Sequence, residues 1–433
     1  MRFGAIRVGL GVAAAITGAL VAVNPAQAVQ TDLAATITRC QSTFGAGPGP
    51  EPLSGCQWDM RTIGAVPGGA WANATGRGVR VGIIDSGVDL NHPDISPNLD
   101  LAASCSFITT GTPTADPTEV ANGDCSNKAA VMDRGGHGTH VASTVAAPLN
   151  GFGIAGVAPE ATIVALKACT EVGYCFADAV AGALRYAGDQ RLDVVNLSLF
   201  ADPYLFYCKN EAEQRAILKS LQSAAKYAQQ RGVVIVAAAG NESIDLGHPT
   251  TDEISPDWPP GAAVVRDVGN NCRVAPAELP GVITVSALGI NRLASYSTVG
   301  HVVDVGAPGG DATQVAVRPL GRILAAWSSI DDGSFDFWTS GSSEPRALTI
   351  NGARYGWISG TSMASPHVAG VAALIKQRHP NWSSGVVAAA IRRSATPKPC
   401  PDPAGYAVTC TGSATSNSFT GSGVVSAVGA AAL

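Results

Sequence analysis

Three polar residues, each placed at the end of a regular element, could together run nucleophilic chemistry: Asp85, His137 and Ser362. Ser362 lies in Gly360-Thr361-Ser362-Met363-Ala364-Ser365-Pro366-His367, where a glycine-led turn enters an apolar helix running on through Val371 to Ile375. A serine at such a junction meets free backbone N–H groups and the positive end of the helix dipole, both of which favour a developing anion. Taken alone, Gly-Thr-Ser reads equally as the cap of an ordinary buried helix. Capping does not account for the Met-Ala-Ser-Pro-His that follows, or for a proline one turn into a helix. A nucleophilic serine needs a base and a group that orients the base. His137 opens a small-residue helix in Gly135-Gly136-His137-Gly138-Thr139-His140-Val141-Ala142, and Asp85 ends the run Val79-Arg80-Val81-Gly82-Ile83-Ile84. That β-branched run suits a buried parallel strand, and an acid at the carboxyl end of such a strand stands where open α/β sheets gather their functional groups. Each motif also has a plain alternative. Asp85-Ser86-Gly87 is a good turn; His137 and His140 could be read as a metal pair, although no third ligand follows at a usual spacing. Gly240-Asn241 is either a simple turn or an amide placed to donate to an oxyanion.

These residues must be positioned by a sheet. Strand patterns at Thr162–Lys167, Asp193–Leu199 and Val233–Ala239 alternate with helical patterns at Ala177–Gln190 and Glu211–Gln230. Strands at Val282–Leu288 and Val302–Ala307 follow, and a helix at Val386–Ser394 comes after the serine helix. The alternation predicts a three-layer α/β fold, a doubly wound and mostly parallel sheet with helices on both faces. Residues 243–280, with Pro249, Pro256, Pro259 and Pro260 and no periodicity, read as a loop insertion, and a second insertion spans 311–358. Within it, Asp331-Asp332-Gly333 and Asn351-Gly352 mark hairpins leading back to the serine turn.

The bulk composition narrows the setting. The chain has 433 residues, 46% hydrophobic, enough to bury a substantial core. Only 14% of residues are charged and the net charge is −5, with no dense basic run, so a nucleic-acid partner is not expected. Residues 1–28 carry Arg2 and Arg7, an apolar stretch from Val8 to Val23, and Ala26-Gln27-Ala28, the form of a cleavable export signal. No other stretch approaches the roughly 18 apolar residues of a membrane helix, so no membrane association is expected after cleavage. Residues 29–57 read as a short leader or N-terminal arm, 58–396 as the main domain and 397–433 as a C-terminal tail. The ten cysteines, an even number without a Cys-x-x-Cys pattern, suit an oxidising compartment. The simplest scheme joins sequence neighbours: Cys40 with Cys56, Cys105 with Cys125, Cys169 with Cys175, Cys208 with Cys272, and Cys400 with Cys410.

In combination the motifs are far more specific than apart. The order Asp, His, Ser, with Asp85-Ser86-Gly87 followed by His92-Pro93-Asp94, the His137 segment, Asn241 between His137 and Ser362, and Gly-Thr-Ser-Met-Ala-Ser-Pro-His, resembles the subtilisin-like serine proteases (subtilases, peptidase family S8) of the secreted bacterial type. The resemblance runs from Trp58 to Ser394. It implies a secreted, monomeric serine endopeptidase acting on polypeptides, with Asp85, His137 and Ser362 as triad, and with Asn241 and the Ser362 N–H as oxyanion donors. No cofactor is needed for the chemistry. The resemblance also implies that an extended substrate pairs with backbone around Gly173 and around Ser198 and Leu199, with Gly240 beside it. Phe200 and Ala201 stand where the family keeps two glycines, so the wall of the primary specificity pocket is expected to be narrowed or displaced. Asp94 and Asn150 match calcium ligands of the family, and an ordinary glycine loop is the alternative there. Between Ala28 and Trp58 there is room for only about thirty residues where the family carries a longer prosegment. The competing expectation is a catalytically silent member of the family used for binding or envelope structure.

Overall fold

Alternating strands and helices make up most of the chain in a computed structural model that describes residues 33–330, 346–401 and 405–433. The expected export signal and the Asp331-Asp332-Gly333 turn lie outside the described residues. In chain order come α1 (Leu33–Phe44), α2 (Trp58–Ile63), β1 (Arg80–Asp85), β2 (Cys105–Ser106), α3 (His137–Ala146), β3 (Thr162–Lys167), α4 (Ala177–Asp189), β4 (Val194–Leu197), β5 (Phe206–Cys208), α5 (Ala212–Gln230), β6 (Val234–Ala238), β7 (Thr251–Asp252), β8 (Arg266–Asp267) and β9 (Cys272–Val274). The second half continues with β10 (Ile283–Leu288), β11 (Val305–Pro308), β12 (Ile323–Trp327), β13 (Ala347–Ile350), β14 (Ala353–Ile358), α6 (Thr361–Arg378) and α7 (Ser384–Ser394), and α8 (Ala427–Ala431) follows the last extended stretch.

Seven strands form one sheet in the order β11-β10-β6-β4-β1-β3-β2, every neighbouring pair parallel. Strands buried on both faces must be apolar on both, and β1 shows it: Val81 and Ile83 pack toward α3 and α6, whereas Ile84 packs toward α4 and α5. The fold is therefore α/β with helices on both faces. The chain leaves β1 for β2 and β3 on one side and returns to β4 on the other, which makes the carboxyl ends of β1 and β4 the topological switch point where such sheets form a crevice. The sheet strands read from the sequence are present with small shifts. The largest adjustments are at Val302–Ala307, whose ladder begins at Val305, and at Asp193–Leu199, whose ladder stops at Leu197 because Ser198 and Leu199 leave it for the crevice.

Outside this sheet the two insertions differ. Strands β12, β14 and β13 make an antiparallel sheet, and β13 turns into β14 through Asn351 (φ 47°) and Gly352 (φ 89°). Two residues with positive φ are what a two-residue hairpin turn of this hand requires. Residues 243–280, read as an irregular loop, instead contribute β9, which pairs antiparallel with β5. The Cys208–Cys272 disulfide joins that pair, so the missing periodicity was replaced by a covalent tie. Within the expected leader or N-terminal arm, α1 lays Leu33, Ile37 and Phe44 on the β12-β14-β13 sheet and is bonded to the following turn by Cys40–Cys56. The other disulfides are Cys105–Cys125, Cys169–Cys175 and Cys400–Cys410. The end of the chain is also part of the body. Val425, Ala427, Ala430 and Ala431 belong to the main core, and residues 421 and 424 bridge to the edge strand β11.

Helix α6 runs through this core with nearly every residue from Met363 to Lys376 buried. Close approach is possible because Gly370 faces Val157, where a Cβ would come within 2.5 Å of the valine. One polar tie crosses the same core. His367 is fully buried, with Nδ1 against the Met363 carbonyl at 2.8 Å and Nε2 against Asp59 Oδ2 at 3.0 Å. Removing one member of a buried pair leaves the other without compensation. His367→Ala should therefore lower unfolding stability by about 3 to 5 kcal/mol, read from urea midpoints of the oxidised protein. A loss near the level of an exposed ion pair, below about 1 kcal/mol, would show that Asp59 needs no partner there.

Candidate active site

At the carboxyl end of β1, Asp85 is 1% exposed. Its Oδ1 accepts the Ser86 N–H and lies 2.8 Å from His137 Nδ1. A carboxylate facing Nδ1 fixes the tautomer in which that nitrogen carries the proton, leaving Nε2 free toward the crevice. Burial, the largest single influence, disfavours the charged imidazole, but the adjacent Asp85 together with Asp133 outweighs it, so the His137 pKa stands above the ordinary histidine value.

The placement of His137 depends on a residue to which the sequence reading gave no role. Asp133 is fully buried before α3; its Oδ1 accepts from the Ser86 hydroxyl and the Gly135 and Gly136 N–H groups, its Oδ2 from the Thr139 N–H and hydroxyl. It thus satisfies an orphan amide of the first turn and ties that turn to the end of β1. An acid just ahead of a helix start was the signal available in the sequence. His140 faces away from the crevice, completely buried, with Nε2 shared between the Ile323 and Gly356 carbonyls at 3.1 and 3.2 Å. Burial pushes its pKa down to about 3, so it stays a neutral clamp between α3 and the antiparallel sheet.

Ser362 sits in the first turn of α6. Pro366 has no N–H for the Ser362 carbonyl four residues earlier, and that carbonyl is taken instead by the Ser198 hydroxyl at 2.7 Å. In return, Ser362 Oγ donates to the Ser198 carbonyl at 3.2 Å. The hydroxyl is thus turned to the end of β4 and not to the imidazole. Ser198 is itself held by Asn196 Nδ2 at 2.9 Å, and Asn196 Oδ1 accepts from Ser365 at 2.6 Å. Asn196, Ser365 and Ser198 form a buried polar thread from sheet to helix.

Asn241, just past β6, accepts the Thr361 N–H and hydroxyl on Oδ1, both at 2.9 Å. Double acceptance fixes the amide orientation and leaves Nδ2 as its unused donor beside Gly360 and Ser362. Gly240 has φ +119°, and a Cβ there would lie 2.5 Å from Glu242 Oε2, so glycine is required to deliver Asn241. A single cavity of about 530 Å³ is lined by Asp85, His137, Ser198, Asn241 and Ser362, and also by Gly173, Leu199, Phe200 and Gly240. Phe200 faces the cavity from a support: it packs on the small apolar cluster around Leu205, Phe206 and Val274, on the disulfide-tied strand pair.

Asp94 and Asn150 lie apart from this cavity. Asp94 Oδ2 accepts the Tyr355 hydroxyl at 2.7 Å and the Ile154 N–H at 3.1 Å, and Oδ1 faces Asn150 Nδ2 at 3.5 Å. Burial pushes the Asp94 pKa up to about 7. Asn150 Oδ1 is occupied by the Phe152 N–H. Protein donors thus meet both side chains, and among the described residues no group of three or more His, Cys, Asp or Glu is placed to hold a metal ion. Among the described residues, no helix is long and apolar enough to cross a membrane.

Comparison with known proteins agrees with this geometry. Residues 76–423 match the subtilase family, Peptidase S8. Subtilisin NAT of Bacillus subtilis subsp. natto is 31% identical over 323 residues, a match spanning 74% of this chain but 61% of that protein. Fervidolysin of Fervidobacterium pennivorans is 32% identical over 341 residues, 76% of this chain and 39% of that protein. This chain therefore spans less than two thirds of the length of these relatives. A solved protease structure from Pseudoalteromonas arctica PAMC 21717 superposes with a TM-score of 0.61 at 26% identity, covering 89% of this chain and 99% of that one. A lanthipeptide protease shares the fold at 24% identity, with a TM-score of 0.61 and coverage of 87% and 93%. By the extent of the family match and by these relatives, the chain belongs to the subtilase family.

Proposed function

We propose that this chain is a secreted serine endopeptidase that cleaves polypeptides through an acyl-enzyme. The observation that carries the reading is the convergence of the Asp85–His137 pair, Ser362 and the oriented Asn241 amide on one cavity. His137 Nε2 takes the proton of Ser362 Oγ as the oxygen attacks the peptide carbonyl, then passes it to the leaving amine; Asp85 holds the imidazole and stabilises its charged form. The negative charge on the tetrahedral oxygen is met by Asn241 Nδ2 and by backbone N–H at the start of α6, donors already oriented before the reaction. The extended substrate lies between the backbone around Gly173 and that around Ser198, Leu199 and Phe200. The disulfides and the export signal support an extracellular setting, with residues 58–396 as the main catalytic unit.

Exported, oxidised protein should be labelled by a fluorophosphonate probe, and Ser362→Ala should abolish the label. A folded protein that takes no label would favour the silent-domain alternative. The pH dependence follows from His137. The base works only when neutral, and its pKa is raised; kcat/KM should therefore rise with pH through a midpoint above the ordinary imidazole value of about 6.5. A midpoint at or below that value would show that Asp85 and Asp133 do not outweigh burial. We also propose that the Asp94 loop is held by Tyr355 and not by calcium. Melting temperatures measured in EDTA and in millimolar calcium should agree, and a calcium-dependent rise of several degrees would reverse that reading.

A further inference from the structure

The cavity at the triad holds more acidic side chains than the proposed chemistry uses. Asp85 is engaged with His137, but Glu171, Asp202, Glu242 and Asp257 also line it, and no lysine or arginine does among the described residues. Two of these acids are paired. Asp202 is 4% exposed, and its carboxyl shares a hydrogen bond with that of Asp257 while accepting the Cys175 N–H. Asp257 Oδ1 is buried and has no hydrogen-bond partner. Burial, reinforced by Asp257, pushes the Asp202 pKa up to about 9, and burial raises that of Asp257 as well, so the two carboxyls share a proton and hold one negative charge between them. A buried carboxylate oxygen without a partner is costly unless a donor reaches it from outside the fold.

The position of the pair gives that donor a source. Asp202 lies four residues beyond Ser198. The disulfide loop Cys169–Cys175 runs alongside the same stretch: the Asp202 N–H bonds the Cys175 carbonyl at 3.0 Å, and the Ala177 N–H bonds the Asp202 carbonyl at 3.1 Å. The acids therefore close the end of the groove whose edges would hold the substrate backbone. Tyr174 stands beside them in the cavity wall, its hydroxyl directed to the Asp257 carbonyl at 3.4 Å and its ring packed against Phe176 and Trp258 at centroid distances of 5.8 and 5.4 Å. A carboxyl pair and an anchored aromatic ring in the lining of one cavity favour a long cation with an apolar stem.

We propose that Asp257, held by Asp202 and flanked by Tyr174, is a specificity-determining residue that receives a lysine or arginine side chain from the acyl side of the scissile bond. This rests on the peptidase reading and adds the class of substrate to it. The test is a fluorogenic peptide set in which each of the four positions preceding the cleaved bond carries Lys, Arg, Ala or Glu in turn, run with the wild type, Asp257→Asn and Asp202→Asn beside the fluorophosphonate label. At one position, kcat/KM for Lys or Arg should exceed that for Ala by about tenfold or more, and Glu should be disfavoured. The basic-to-alanine ratio should fall to within about threefold in Asp257→Asn; because it is a ratio within one variant, a general loss of activity does not mimic it. Asp257→Lys should invert the order of Lys and Glu. Wild-type cleavage of the alanine peptides without basic preference at any position overturns the subsite and leaves the peptidase reading standing, as does a basic preference that survives in both Asn variants. Labelling without cleavage of any basic peptide overturns the subsite alone; neither label nor cleavage removes both readings.

Discussion

The site depends on one carbonyl group. Pro366 leaves the Ser362 carbonyl without its helical donor, and an unpaired carbonyl in a buried first turn is unfavourable. Ser198 supplies the missing hydrogen bond from the end of β4, which joins the helix bearing Ser362 to the sheet that forms the crevice. The Asn196 to Ser365 bond repeats the junction one turn deeper, and Thr361 extends it to Asn241 beyond β6. Because each bond is made by a short side chain with few rotamers, the geometry is held by packing and backbone position and not by long, adaptable groups. A proline that would weaken an ordinary helix here directs where the helix must attach.

Much of this was visible in the residue order, since the main sheet is built from runs that are apolar on both faces. β1, β3, β6 and β10 were readable from composition alone, and the Asn351-Gly352 turn from its positive-φ residues. Asp85, His137, Asn241 and Ser362 could be singled out because each stands at an end of an element with an unusual local pattern, and the fold brings them to one cavity. What was not readable depends on separation along the chain. Asn196 and Ser365 are 169 residues apart and Asp59 and His367 are 308 apart, and no local pattern distinguishes such a serine or asparagine from a solvated one. Helix α1 was missed for a related reason: its Leu33, Ile37 and Phe44 form a face only in the presence of the hairpin sheet that they cover. Asp257 sits in a proline-rich stretch without periodicity, and its relation to Asp202 appears only when β9 has paired with β5.

The disulfides divide the labour with the apolar core. None lies inside the seven-stranded sheet beyond Cys105 at its edge; they secure peripheral segments whose own apolar content is small. In the loop-entropy picture the 64-residue span closed by Cys208–Cys272 restricts the unfolded chain more than the 6-residue span of Cys169–Cys175. The two have different local consequences. The short one stiffens a groove edge beside Asp202, and the long one fixes the platform on which Phe200 rests. Apart from residues such as Asp257 and Val274 that line the cavity themselves, substitutions in the 243–280 region therefore reach it through a covalent support.

The placement of the last stretch of chain sets an order of events. Val425, Ala427 and Ala430 fill space around α6 that nothing earlier in the sequence occupies. As the chain emerges, the strands of the sheet are therefore all present before the core around α6 can be completed. A chain stalled short of residue 425 would hold the residues of the crevice without the packing that fixes them. Assembly of the cleft is thus tied to the arrival of residues 425–430, a timing device made only of small apolar side chains.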